Sequence, residues 1–379
     1  MEWRANSTDD PIEGLTSRKG NEREQIVEFG IALATSTESW KAVKRAEELG
    51  FTHAWFYDTQ LLNPDVFIGM TQAAMNTKKI RLGTGVLIPS NRIEPVTANA
   101  LATLNKIAPG RIDFGVGTGF TGRRTMGLGA ITLSRMETYI ERVQAMLRGE
   151  TITWDFEGET RAIRFLNPDF GLINIVDPIP LHISAFGPKA RRLTAKLGAG
   201  WLNFGADVAR AAKELGDMRG AWREAGRTGA LYSTQFALGC VLKKGEPADS
   251  PRAIAQAGPL VAVLFHNLVE TTSAGAMAGV LPDDVNAALE QYRKIYKAYE
   301  PEDARYLMNH RGHLMFVKPE ERPLLNASLI ESFSFTGTSD VLLERLRMLE
   351  SAGYSQFTMQ LVEGQEDALE DWSDLFARL

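Results

Sequence analysis

The chain has 379 residues, 44% of them hydrophobic, which is long for one ordinary domain and normal for a barrel with insertions. A net charge of -5, from 42 basic and 47 acidic residues without a basic block, argues against nucleic acid as a partner. The single cysteine, Cys240, excludes an internal disulfide and fits a reducing cytoplasm, and no apolar run reaches the length of a membrane span.

Residues 1–25 are polar, rich in turn formers and without the apolar core of a signal peptide, so they predict a mobile arm or partner-contacting extension. A single domain over 26–379 follows. Val27–Leu33 reads as a first strand. Thr35 and Glu38 form a capping-box pattern for a helix running to Leu49, stopped by Gly50. His53–Tyr57 is the second strand, which delivers Asp58, Thr59 and Gln60 to its C-terminal end. Pro64–Met75 is a helix. Ile80–Ile88 and Arg111–Val116 are strands three and four, joined by the amphipathic helix Pro95–Lys106.

After strand four a basic, glycine-rich loop continues to Ala130 before a helix over Ser134–Leu147. Thr151–Phe165 predicts a hairpin turning at Glu157-Gly158. Leu181–Ala185, Gly200–Phe204 and Tyr232–Leu242 are strands five to seven, with helices over Pro188–Leu197 and Ala206–Ala225. Residues 243–334 form a long insertion with helical stretches near 251–270, 283–299 and 302–308. A helix from Ser339, strand eight (Gln356–Val362) and a terminal helix close the chain. Eight strands alternating with helices predict a (β/α)8 TIM barrel, with a hairpin insertion after helix four and a helical insertion after strand seven.

Glycines 83, 85, 115, 117 and 119 lie where strands three and four run out. Backbone can approach a ligand closely only where side chains are missing, and that end of a barrel carries active sites. The glycines therefore predict a floor for a planar cofactor, against the alternative of a merely tight turn. Gly117-Thr-Gly119-Phe-Thr-Gly122 also matches the dinucleotide fingerprint, but the strand sits fourth and polar loop follows it, so the barrel reading is preferred.

The order Gly-Thr-Gly-Val (83–86), Asn91-Arg92, Ala-Pro-Gly-Arg (108–111) and Phe-Gly-Val-Gly-Thr-Gly (114–119) resembles the bacterial luciferase-like flavin oxidoreductases. The resemblance extends, with gaps, from about Val27 to about Val362. It implies a barrel that uses reduced FMN, or the deazaflavin coenzyme F420 in some relatives. It places a non-prolyl cis peptide at Gly85-Val86, bulging behind the cofactor ring. It also places the cofactor phosphate at Ala185-Phe186-Gly187-Pro188, where N–H groups open a helix beside Lys189, Arg191 and Arg192; a proline-started helix with a solvated basic face is the plain alternative. Related enzymes often carry a histidine directly after the acid at Asp58, where this chain has Thr59.

The cofactor-binding expectation thus covers Gly83, Thr84, Gly85, Val86, Gly117, Thr118, Gly119, Ala185, Phe186, Gly187 and Pro188. Asp58 and His313 are the catalytic candidates, the alternatives being a loop cap and a packing histidine. His313 near its ordinary pKa would suit proton transfer in the substrate mouth. His310 and His313 alone lack a third ligand, so no metal is expected. Trp3, Phe120, Phe186, Trp201, Phe265 and Phe316 could line an apolar pocket.

The leading expectation is a cytoplasmic two-component monooxygenase that takes reduced FMN from a separate flavin reductase and oxidises a small organic substrate. The alternatives are a deazaflavin-dependent hydride-transfer oxidoreductase and a non-catalytic flavin-binding barrel. Apolar residues beyond one stripe on helix two (Val66, Phe67, Ile68, Met70) and helix three (Ala98, Ala100, Leu101, Leu104) predict a homodimer. The insertion 243–334 is expected to act as a lid.

Overall fold

A computed structural model describes residues 27–270 and 282–379. The 1–25 extension, Trp3 and the 271–281 part of the insertion lie outside the described residues. From β1 (Glu28–Leu33) the chain runs through α1 (Ser39–Glu48), β2 (His53–Phe56), α2 (Val66–Asn76), β3 (Arg81–Thr84), α3 (Glu94–Ile107) and β4 (Ile112–Val116). Then come α4 (Phe120–Arg124), α5 (Leu133–Leu147) and the antiparallel hairpin β5–β6 (Ile152–Phe156, Glu159–Ile163). The series continues with β7 (Leu181–Ser184), α6 (Pro188–Leu197), β8 (Gly200–Phe204), α7 (Val208–Glu224) and β9 (Ser233–Ala237). The last barrel strand, β12 (Gln356–Leu361), follows the insertion.

Strands β1, β2, β3, β4, β7, β8, β9 and β12 pair in parallel and close into one barrel, with β1 joined to both β2 and β12. The eight-stranded expectation holds, with both insertions in the expected places. Three local readings are corrected. Thr35 donates its hydroxyl to the Tyr57 carbonyl instead of capping α1, and Glu38 makes no side-chain cap. A short helix, Phe120–Arg124, occupies the expected polar loop after Gly119, whose φ of +81° only glycine adopts readily.

Strand seven also breaks. After β9 the chain leaves the barrel, and β10 (Val241–Leu242) pairs in parallel with β11 (Gly337–Thr338) at the neck of the insertion. A Cβ at Gly239 would fall 2.0 Å from the Phe335 carbonyl oxygen, so the two ends of the insertion approach as closely as backbone allows. The insertion has its own apolar core, in which Ile254, Val261, Phe265, Val285, Leu289, Tyr292 and Leu329 pack together. Its longest helix, α8 (Pro251–Glu270), is apolar and long enough to span a membrane by composition, yet 67% of that stretch is buried in this core.

Inside the barrel, side chains alternate as the pleat requires. Ala54 and Phe56 of β2 face the surrounding helices, whereas Trp55 and Tyr57 join Ala32, Leu202 and Phe236 in the interior. Trp55 is fully buried and donates its indole N–H to Gln356 Oε1 at 3.0 Å. Below it lies a polar base. Arg81 forms a bidentate pair with Asp113 at 2.8 Å and 2.8 Å, and His182 Nε2 lies 3.3 Å from the same carboxylate. Burial raises the Asp113 pKa, but His182 and Arg81 outweigh it and hold the group down at about 2.

Burial pushes the His53 pKa down to about 4, against the pull of Asp113 and Glu28. The folded state therefore binds fewer protons at His53 than the unfolded chain does. Its contribution is present in full above the unfolded value near 6.5 and is lost as pH falls towards 4. The depression corresponds to roughly 3 kcal/mol once both states are protonated. His53→Gln should flatten the fall in stability between pH 6.5 and 4, read by urea denaturation across that range. An unchanged slope would show that His53 does not set the acid limit.

Candidate active site

Tyr57, Val86, Gly117, Ser184, Phe204 and Gln360 surround the C-terminal mouth of the barrel. The Gly85-Val86 peptide bond is cis, as the resemblance implied. Val86 joins the interior cluster with Trp55 and Tyr57. Tyr57 Oη donates to Gln360 Oε1 at 2.9 Å, and burial raises the Tyr57 pKa far enough to keep it a donor.

The glycines have a cause that their spacing did not reveal. A Cβ at Gly83 would meet the Trp55 ring at 2.4 Å, and one at Gly85 would meet Trp55 Cβ at 2.8 Å. At Gly115 it would lie 2.0 Å from the Thr84 carbonyl oxygen. These three make room for a tryptophan inside the barrel and for close strand approach. Only Gly117 faces the mouth wall, where a Cβ would fall 2.6 Å from Val86 Cγ2 and 3.7 Å from Ser184 Cβ. Thr84 likewise serves the strand pair, since its hydroxyl donates to the Gly115 carbonyl at 2.7 Å.

Asp58 is buried, with its acceptors occupied. Arg92 Nη1 reaches its two oxygens at 2.9 Å and 3.0 Å, while the Ile88 N–H and Asn91 Nδ2 each donate at 3.2 Å. Arg92 Nη2 continues to Asp65 Oδ2 at 2.5 Å, and Asp65 caps α2 through the Phe67 and Ile68 N–H groups. Gln60 ties the same loop to the β4 side by donating to the Gly122 carbonyl at 2.9 Å. The acid therefore holds the 88–92 loop that follows the cis bond. In this geometry Asp58 ties down the 88–92 loop through Arg92, Asn91 and the Ile88 N–H.

At the end of β7, Ala185 is buried and its carbonyl accepts the Trp201 indole N–H at 2.8 Å. Phe186 is 52% exposed, and Gly187 is exposed with nothing within 4 Å of where its Cβ would stand. Gly187 is the N-cap of α6 without a side-chain cap, so the N–H groups of that turn face outward unclaimed by side chains. Arg191 does not face this opening: it is buried against α7, 3.3 Å from Asp217 and 3.7 Å from Glu214. Lys189 and Arg192 are exposed.

The insertion sits on the opposite side of the mouth. His313 Nε2 lies 3.2 Å from Thr121 Oγ1, Gln360 Nε2 donates to the Leu314 carbonyl at 2.8 Å, and Asn63 Nδ2 lies 3.2 Å from Met315 Sδ. Residues 313–315 thus touch the chain after β4, β12 and β2 in turn. Of the expected pocket aromatics, Phe265 and Trp201 are core side chains, whereas Phe120, Phe186 and Phe316 are 47%, 52% and 44% exposed.

His313 is not poised to titrate near neutral pH. Burial, with His266 and His310 beside it, pushes its pKa well below the ordinary value. His266 was missed by the sequence reading. It lies on α8, and one ring nitrogen from each of His266, His310 and His313 falls within 4.8 Å of the others. Its signal was the His266–Glu270 spacing of one helical turn on an otherwise apolar helix.

The family model described as luciferase-like monooxygenase matches residues 34–356. A 5,10-methylenetetrahydromethanopterin reductase of Archaeoglobus fulgidus is 27% identical over 337 residues, which covers 87% of this chain and 92% of that protein. An F420-dependent glucose-6-phosphate dehydrogenase of Beutenbergia cavernae is 36% identical over 138 residues, 34% of this chain and 39% of that protein. In fold, the chain resembles the coenzyme F420 dependent tetrahydromethanopterin reductase of Methanopyrus kandleri, with a TM-score of 0.66 at 21% identity over 92% of this chain and 97% of that one.

Proposed function

The chain belongs to the luciferase-like monooxygenase family, and from that premise we propose that it is a deazaflavin-dependent oxidoreductase acting on a small organic substrate. Its relatives are oxidoreductases. The observation that carries the cofactor choice is the near full-length similarity to a methylenetetrahydromethanopterin reductase, a reaction whose structural counterpart is named as coenzyme F420 dependent. It favours the deazaflavin alternative over the FMN monooxygenase with a separate flavin reductase that the sequence first suggested.

The residues fit such a group. On the side of β4, β7 and β8, the half-buried Val86 lies against Gly117 and the first turn of α6 is exposed. Val86 would support one face of the ring. The Gly187 and Lys189 N–H groups would receive the phosphate, since proline cannot donate. When bound, a deazaflavin supplies or accepts hydride and does not activate oxygen. The protein's share is orientation and exclusion of water. Asp58, through Arg92 and Asn91, fixes the loop behind Val86. Tyr57 and Gln360 tie the mouth to Leu314, so that the insertion acts as a lid.

Titration of the purified chain with F420 and with FMN tests the reading. F420 should bind more tightly by at least about tenfold, a difference of 1.4 kcal/mol. Tighter binding of FMN, with oxygen consumed in the presence of a flavin reductase, would overturn it in favour of the monooxygenase. Binding of neither would leave the non-catalytic barrel.

The assembly we propose is a homodimer in the cytoplasm. Val66, Met70, Ala98, Leu101 and Leu104 are buried within the chain itself, but Ile68, Met75, Val96 and Ile107 leave α2 and α3 with exposed apolar surface. A monomeric mass by light scattering at micromolar concentration would exclude the dimer.

A further inference from the structure

We propose that His266, His310 and His313 form a binding site for a divalent transition-metal ion of the zinc class, held through their Nδ1 atoms. All three side chains are more than nine-tenths buried, at 1%, 1% and 6% exposure. Ring centroids stand 6.2, 6.0 and 5.6 Å apart, and one nitrogen from each ring falls within 4.8 Å of the others.

The outer nitrogens are already engaged. His266 Nε2 is 2.6 Å from Glu321 Oε1, His310 Nε2 is 2.9 Å from Glu270 Oε2, and His313 Nε2 is 3.2 Å from Thr121 Oγ1. The nitrogen left on each ring is Nδ1, and all three Nδ1 atoms are buried with no hydrogen-bond partner. One orphaned buried acceptor costs about 1–3 kcal/mol. Three such free nitrogens on rings clustered this closely are what a ligand set can draw on. Metal-bound histidines commonly donate their other nitrogen to a carboxylate, which fixes the tautomer that leaves a lone pair for the ion. Two rings here have that partner and the third has a hydroxyl.

The chemistry selects the ion. Three neutral imidazoles suit zinc, copper, iron or nickel, and not magnesium or calcium. Bonds of 2.0–2.1 Å at tetrahedral angles put ligand nitrogens roughly 3.4 Å apart, so the rings would close by about an ångström. Glu270 and Glu321 supply negative charge behind the ligands. Lys318 lies 3.0 Å from Glu321, which offsets its charge.

An ion there would join α8, the 310–313 segment and, through Thr121, the chain after β4. It would fasten the insertion to the mouth. The site does not depend on which cofactor the barrel uses, so its test is independent of the proposed activity.

The experiment uses the untagged full chain, stripped with a chelator and dialysed, then titrated with Zn2+ and Co2+. We expect one ion per chain by elemental analysis and a rise in unfolding temperature of about 3 °C at a hundredfold excess over Kd. The Co2+ form should show three hyperfine-shifted, exchangeable imidazole N–H resonances, one for each Nε2–H. His266→Ala, checked for folding by circular dichroism, should weaken binding by about 100-fold, and Cys240→Ser should leave it unchanged. Failure of the wild-type chain to retain either ion, fewer than three shifted resonances, or unchanged affinity in folded His266→Ala would each overturn the site.

Discussion

Gly117→Val is expected to eliminate deazaflavin binding while leaving the barrel folded. The added Cβ would stand 2.6 Å from Val86 Cγ2 and 3.7 Å from Ser184 Cβ, so Val86 must shift and the new methyl groups must enter the mouth. Overpacking of this kind costs about 1–3 kcal/mol, which a domain with about 5–15 kcal/mol of stability survives. A planar ring lying on that wall has no comparable freedom to move aside. We expect affinity to fall by at least about 100-fold, or about 2.7 kcal/mol, with near-native circular dichroism and a small loss in unfolding temperature. A folded variant that binds with wild-type affinity would remove the Gly117–Val86 wall from the site. Gly115→Ala makes an informative contrast. Its Cβ would fall 2.0 Å from a backbone oxygen, so it should fail at folding and not at binding.

That contrast also shows how far the sequence could be read. Short apolar runs located the barrel strands, because parallel strands buried on both faces leave that pattern irrespective of what the site does. By sequence alone the same glycines form one set, a floor for a planar cofactor. The structure separates them: Gly83 and Gly85 yield space to Trp55, Gly115 to the Thr84 carbonyl, and only Gly117 to the mouth wall. Which glycine serves which neighbour depends on a residue about 30 positions away in sequence, and no local pattern records it.

The failures elsewhere have the same character. Thr35 and Glu38 fit a capping box, but the Thr35 hydroxyl found a stronger claim on the Tyr57 carbonyl across the strand ends. Strand seven appeared continuous because its apolar run continues past the barrel. The break after Ala237 is enforced by the close approach of Gly239 to Phe335, nearly a hundred residues on. His310 and His313 were visible as a pair, while His266 joins them only because the insertion folds α8 against the 310–313 segment. The barrel is a matter of period and could be read. The histidine cluster of the insertion is a matter of tertiary contact and could not.

Arg92→Ala should be the most damaging single truncation at the surface of the site. Arg92 bridges Asp58 and Asp65 and lies 5.0 Å from the Phe67 ring centroid, and its side chain is 16% exposed. Asp58 beneath it is 3% exposed, so removing the guanidinium strands a buried carboxylate with only the Asn91 amide and the Ile88 N–H for partners. Breaking a buried pair from one side costs about 3–5 kcal/mol, whereas removing both charges costs much less. We therefore expect Arg92→Ala to lose about 3–5 kcal/mol in urea denaturation, and Asp58→Asn combined with Arg92→Ala to recover a large part of it. Arg92→Lys should recover little, because one ammonium cannot reproduce the fork that reaches both carboxylates. The loop from Ile88 to Arg92 carries the backbone directly after Val86, so cofactor affinity should fall with stability in Arg92→Ala and return in part with the double variant. A loss below about 1 kcal/mol in Arg92→Ala would mean that water reaches Asp58 and that the pair is an ordinary surface bridge. A full loss with unchanged cofactor affinity would confine Asp58 and Arg92 to folding and separate them from the site.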